Sequence, residues 1–214
     1  MKLYGFWRST ATWRVRIGLA YKGLDYEVQP VHLRKGGGEQ HGEAYRALNP
    51  MEQVPLLELN EDGRVVRLTQ SVAILEYLEE RFPEPRLLPA DPLLRARVRQ
   101  LAEMVNAGIQ PLQNTSTQLW VKDTLGADEK AWTRHWVGRG LTALEACVAG
   151  CAGRFSVGDS VTFADLFLVP ELDFARRFLI PLDAYPTLAR IDAACAELPA
   201  FQQAHADRQP DAER

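Results

Sequence analysis

The chain has 214 residues, 46% hydrophobic and 25% charged, with 25 Lys and Arg against 28 Asp and Glu for a formal net charge of −3. That balance suits a soluble globular protein with room for one large core or two small ones. It excludes a global basic field for nucleic acid, and no apolar run reaches the roughly 18 residues of a membrane span.

Met1-Lys2-Leu3-Tyr4 runs directly into strand-like sequence without a signal-peptide pattern, so a cytoplasmic protein is expected. Lys2 to Phe6 is short and apolar, a strand. Thr12 to Lys22 sets Trp13, Ile17 and Ala20-Tyr21 at helical spacing, with Gly23 as the stop. Tyr26 to His32 alternates as a second strand. Gly36-Gly37-Gly38 forms a flexible loop before a short helix over Glu43 to Leu48. Val54 to Leu59 reads as a strand that includes a proline, Asn60 to Gly63 as a turn, and Arg64 to Leu68 as the returning arm of a hairpin. Ser71 to Arg81 is helical, with Val72, Leu75 and Leu78 as apolar positions. The order βαβαββα predicts a four-stranded sheet covered by helices, with a right-handed parallel crossover and an antiparallel closing hairpin.

Residues 82–92 contain four prolines, so residues 83–91 read as a linker. Beyond it the pattern is helical: Leu93 to about Leu119, broken near Gly108 and Pro111; Asp128 to Val148; Thr162 to about Phe178; then short helices at 187–196 and 199–205. The predicted fold class is α/β plus all-α, with a first domain over 1–82 and a helical bundle over 92–214. The end beyond Arg208 is expected to fray. Cys147, Cys151 and Cys195 lack an accompanying histidine cluster and predict small buried side chains, neither a metal site nor a disulfide framework. Arg8, Arg14 and Arg16, like Arg176-Arg177, are expected mostly on solvated faces.

Chemistry concentrates at three turns. Arg8-Ser9-Thr10-Ala11-Thr12 lies between the first strand and the first helix, where unpaired helix N-terminal amides attract an anion or lower a thiol's pKa. A cap accounts for one of the hydroxyls Ser9, Thr10 and Thr12; three in four residues after an arginine leave ligand contact open beside it. Val54-Pro55 opens a strand. With a cis bond the Val54 main chain would turn its N–H and C=O toward an extended ligand; a plain edge-strand proline is the other reading. Gln70-Ser71 opens the last helix of the first domain, with Ser71 as cap or as part of a carboxylate site. Thr162-Phe163-Ala164-Asp165 fits a capping box, a structural feature.

Taken together, these segments resemble the zeta class of the glutathione transferases, which includes maleylacetoacetate isomerases and is close to bacterial maleylpyruvate isomerases. The resemblance runs nearly end to end, through Trp13-Arg14-Val15-Arg16-Ile17, Ala47-Leu48-Asn49-Pro50-Met51, Gln53-Val54-Pro55, Gln70-Ser71, Gly108 to Asn114, Val157-Gly158-Asp159 and Ala164-Asp165-Leu166. It implies a thioredoxin-like domain with cis-Pro55, an all-helical domain, usually a homodimer, and glutathione as cofactor. Ser9 would meet the glutathione thiol, Val54 the cysteinyl unit, and Gln70 and Ser71 the γ-glutamyl end, with Gln53 and Gln113 nearby. Arg8 and Arg176 would anchor the carboxylates of a small acidic substrate, and hydroxyls or amides of residues 9–12, Thr10 among them, would stabilise developing charge. The class pattern Ser-Ser-Cys-Ser reads Ser9-Thr10-Ala11-Thr12 here, so a protein thiol at Ala11 is lacking. The implied activity is glutathione-dependent cis–trans isomerisation of a maleyl keto acid. Conjugation or dehalogenation of small α-halo acids is the alternative, and non-catalytic glutathione binding a third.

Overall fold

The computed structural model describes residues 1–213. It divides into two units, one of Met1–Pro85 with the segment from Leu198 on, the other of Arg86–Glu197.

In the first unit, β1 (Lys2–Gly5), α1 (Thr10–Tyr21), β2 (Glu27–Pro30), α2 (Glu43–Arg46), β3 (Leu56–Glu61), β4 (Arg64–Thr69) and α3 (Ser71–Arg81) follow in chain order. The sheet order is β2-β1-β3-β4, with β1 parallel to β2 and antiparallel to β3. This is the thioredoxin-like arrangement that βαβαββα predicts. The β3–β4 hairpin closes at Glu61 opposite Arg64, leaving a two-residue turn in which Asp62 and Gly63 both have positive φ, 51° and 78°. Gly5 lets α1 approach β1: a Cβ there would lie 2.3 Å from Thr12 Cγ2. Leu3, Val15, Ile17, Leu56, Leu57, Ile74, Leu75 and Leu78 fill the core between sheet and helices.

Three expectations change here. Arg14 and Arg16 are not on a solvated face; they are 1% and 3% exposed. Arg16 Nη2 donates to the Trp7 carbonyl at 2.7 Å and Nε to the Ala204 carbonyl at 3.2 Å, and burial pushes its pKa down to about 10. The segment from Leu198 on, with α10 (Pro199–Ala204), belongs to the first unit, so the helical domain does not run to the end of the chain. Nor does that end fray: Gln209 is buried, and Asp211 accepts the Trp7 N–H at 3.0 Å. Lys22 anchors the start of the proline-rich stretch, donating to Glu79 and the Phe82 carbonyl at 2.7 Å and to the Pro85 carbonyl at 3.0 Å.

The second unit is helical: α4 (Pro92–Glu103), α5 (Gln110–Gln113), α6 (Thr115–Asp123), α7 (Glu129–Ala149), α8 (Phe163–Arg177) and α9 (Pro186–Ala196). The break expected near Gly108 and Pro111 is a π-helical turn over Met104–Ile109. Pro111 cannot donate to the carbonyl four residues back, so the helical ladder loosens ahead of it. At the same place Ile109 packs where a Gly140 Cβ would sit, 2.4 Å from its Cγ1, so α7 meets the break through a glycine. Asp91 and Asp128 cap α4 and α7. Leu166, Phe167, Leu172 and Ala175 make α8 the buried centre of this unit. Cys195 is buried as predicted, whereas Cys147 and Cys151 are only half-buried.

Candidate active site

Register gathers the three chemical turns. Tyr4 pairs with Leu56 and Leu56 with Thr69, so the exit of β1, the entry to β3 and the exit of β4 share one end of the sheet. Arg8 and Ser9, then Val54-Pro55, then Gln70-Ser71 therefore emerge side by side, although Tyr4 and Thr69 lie 65 positions apart in sequence. None of this follows from the spacing of the motifs alone.

At the first turn Ser9 is the N-cap of α1, and its Oγ accepts the Thr12 N–H at 3.2 Å. Ser9 stays half-buried while Thr10 and Thr12 are buried, which leaves Ser9 as the accessible hydroxyl of the three. While its oxygen accepts from Thr12, its hydrogen remains available to donate to a ligand. The Ala11 N–H has no hydrogen-bond partner among the described residues, so α1 retains an open N-terminal donor. The Arg8 guanidinium lies 4.9 Å from the centre of the Trp7 ring.

At the second turn Val54-Pro55 is cis, as the resemblance implied; Glu84-Pro85, unforeseen, is also cis. Among the described residues the Val54 N–H and C=O have no partner. Two residues that the sequence reading missed hold this turn: the Tyr45 hydroxyl and the Asn49 amide both donate to the Gln53 carbonyl at 2.7 Å. Burial pushes the Tyr45 hydroxyl up to about 12, so it stays a donor. Asn49 lies inside a segment that carries the family resemblance, which was the available signal.

At the third turn Gln70, not Ser71, occupies the cap position of α3, with φ 67° and no side-chain cap bond. Ser71 is the first helical residue. A left-handed backbone there takes the Gln70 side chain away from the cap, so the N–H groups of Ser71, Val72 and Ala73 have no partner among the described residues. The Gln70 amide reaches Gln53 Oε1 at 3.5 Å, joining the second turn to the third.

Gln113 and Arg176 belong to the second unit. Gln113 is 1% exposed and donates to the Glu171 carboxylate at 2.8 Å. Arg176, exposed near the end of α8, is ion-paired with Asp192. Among the described residues no cluster of His, Cys, Asp or Glu is arranged to hold a metal ion, and no helix is long and apolar enough to cross a membrane.

A thiol peptide with a terminal α-amino acid fits this donor set. Open helix N-termini at α1 and α3 suit a thiolate and a carboxylate, and the unpaired Val54 main chain suits an extended peptide between them. Comparison with known proteins agrees. The glutathione S-transferase N-terminal domain model matches residues 3–86, and the C-terminal domain model matches residues 127–199. Maleylacetoacetate isomerase of Pseudomonas aeruginosa is 47% identical over 214 residues, covering 99% of this chain and 98% of its own. A crystal structure of maleylacetoacetate isomerase from Anaeromyxobacter dehalogenans with bound glutathione is 55% identical, with a TM-score of 0.92 over 99% of this chain and 97% of that one. A holo maleylpyruvate isomerase, described as a bacterial glutathione S-transferase in the zeta class, is 45% identical, with a TM-score of 0.93 over all of both chains. The fold and site thus define a glutathione S-transferase. Within that family, the chain belongs to the zeta class.

Proposed function

We propose that the protein is a glutathione-dependent cis–trans isomerase of a maleyl keto acid such as maleylacetoacetate or maleylpyruvate. The observation that carries the reading is the set of unpaired main-chain groups at one end of the sheet: the Ala11 N–H beside Ser9, the Val54 N–H and C=O, and the first three amides of α3. When bound, glutathione supplies a thiolate that adds reversibly to a conjugated double bond and is regenerated.

The chain's own residues do the rest. Ser9 donates its hydroxyl hydrogen to the sulfur and, with the α1 N-terminus, favours the thiolate. Val54 pairs with the cysteinyl unit. The α3 N-terminus with Ser71 and Gln70 takes the γ-glutamyl carboxylate, and Gln53 supports Gln70. Arg8 anchors a substrate carboxylate through its forked donors. Arg176, ion-paired with Asp192 in the second unit, is given no role in this anchoring. The open amides of the turn offset charge developing on the substrate, and Thr10, which is buried, is given no part in this. None of these tasks needs a cysteine at Ala11. Gln113, committed to Glu171, is not carried into this mechanism.

The reading takes the protein as a cytoplasmic homodimer. Leu93, Leu94, Leu119 and Trp120 expose large apolar side chains of the kind that subunit contact covers. The test is isomerisation of maleylacetoacetate and maleylpyruvate with glutathione far below substrate. Many turnovers per glutathione are expected. Product formed only in proportion to glutathione consumed would replace the isomerase reading with conjugation.

A further inference from the structure

The chain leaves β1, presents Ser9 and enters α1 within the four residues Phe6 to Ser9. Locally the turn closes through one main-chain bond, Ser9 N–H to the Phe6 carbonyl at 2.9 Å. Its middle is held from elsewhere. The Trp7 N–H donates to Asp211 Oδ2 at 3.0 Å, 204 positions away, and the Trp7 carbonyl accepts Arg16 Nη2 at 2.7 Å. Arg16 also grips the Ala204 carbonyl, so one buried guanidinium bridges the turn to the segment that supplies Asp211. That segment is braced in turn. Gln209 is buried and donates to the Gln203 and His205 carbonyls at 3.1 and 2.9 Å, and the His205 ring meets Trp13 edge-on at 4.9 Å. Glu213 reaches His32 at 2.9 Å.

We propose that Ala204 to Asp211 is a positioning strap for the thiol site, with Asp211 and Arg16 fixing the Trp7 peptide so that the Ser9 hydroxyl faces the sulfur. The inference rests on the reading of Ser9 as the thiol's partner. Both Asp211 and Arg16 act through Trp7 and are positioning residues. Trp7 is 6% exposed, so its peptide N–H has little access to replacement water, and loss of its acceptor shifts the turn. Displacement of a catalytic group by about 1 Å costs up to on the order of a hundredfold in rate.

The experiment compares Asp211→Ala, Asp211→Asn, Arg16→Lys and Ser9→Ala in the full chain. The readout is the fraction of bound glutathione present as thiolate, by ultraviolet absorbance at saturating glutathione and neutral pH. A contact that only stabilises the fold does not move this quantity in the folded protein. Asp211→Ala is expected to lower the thiolate-to-thiol ratio about tenfold and to speed hydrogen exchange at the Trp7 amide. Asp211→Asn, which keeps an acceptor for that amide, is expected to restore most of both. Should Asp211→Ala fail to fold, Arg16→Lys decides: it keeps the charge but cannot bridge both carbonyls, and a ratio lowered in the same direction is expected. If Ser9→Ala lowers the ratio while Asp211→Ala and Arg16→Lys leave it at the wild-type value, the strap is overturned and the glutathione reading stands. If Ser9→Ala itself has no effect, the assignment of Ser9 falls, and the strap with it.

Discussion

The starts of α1 and α8 use the same chemistry to opposite ends. At α8, Thr162 and Asp165 form a capping box that is buried throughout: Asp165 is 0% exposed and accepts the Ser156 N–H at 2.8 Å and the Thr162 N–H at 2.7 Å. At α1, Ser9 caps a single amide, stays half-buried, and leaves the Ala11 N–H without a partner among the described residues. The Ala164 N–H at the closed cap also lacks a partner among the described residues, but Ala164 is buried, so no ligand reaches it. An open cap keeps donors for a ligand, and something else must hold it in place. The start of α3 is more open still, because the cap position is occupied by Gln70 without a cap bond.

Substitution at the closed cap is the largest expected effect. Asp165→Ala strands two buried N–H groups and should cost about 3 kcal/mol of stability in denaturant unfolding, with glutathione affinity of the folded protein unchanged. Burial pushes the Asp165 carboxyl above its ordinary 3.8 in spite of those donors. A raised folded-state value means that the folded chain holds a proton the unfolded chain has released. Its contribution is therefore complete below 3.8 and fades as pH rises through the folded value. Asp165→Asn should lack that pH dependence.

The open cap should answer in the reverse sense. Ser9→Ala is expected to lower kcat/KM on the order of a hundredfold in steady-state assays, while removing only about 1 kcal/mol of stability. Equal losses at both caps in both measurements would erase the distinction between them. The smallest effect is expected at Ala11→Cys. Since the Ala11 main-chain donor is independent of its side chain, kcat should stay within about threefold of wild type. A larger rise would mean that the thiol common in the class does chemistry that this chain has given up.

The strands and helices of the first unit were legible because hydrophobic period and turn residues agree there: Asp62-Gly63 marks the hairpin, and Gly23 ends the pattern of α1. Ser9, Val54 and Gln70-Ser71 could be picked out as turns with spare donors, but their meeting at one end of the sheet comes from the Tyr4–Leu56–Thr69 register, which no local pattern encodes. Arg14 and Arg16 were misread because pattern reasoning assigns charge to solvent, whereas Arg16 meets buried carbonyls supplied by long-range packing. Asp211 was misread for the same reason. A polar end with a proline has the composition of a frayed terminus, and only the fold brings the Trp7 amide to it. Tyr45 and Asn49 were missed because a main-chain carbonyl as partner leaves no trace in the side-chain sequence.

The most direct test of the contrast between open and closed helix starts is backbone amide NMR during a glutathione titration. The account predicts shifts at the Ser9 to Ala11, Val54 and Ser71 to Ala73 amides, with those of Ser156, Thr162 and Asp165 unmoved. Saturable shifts confined to the α8 start, or none at the first three turns, would contradict it.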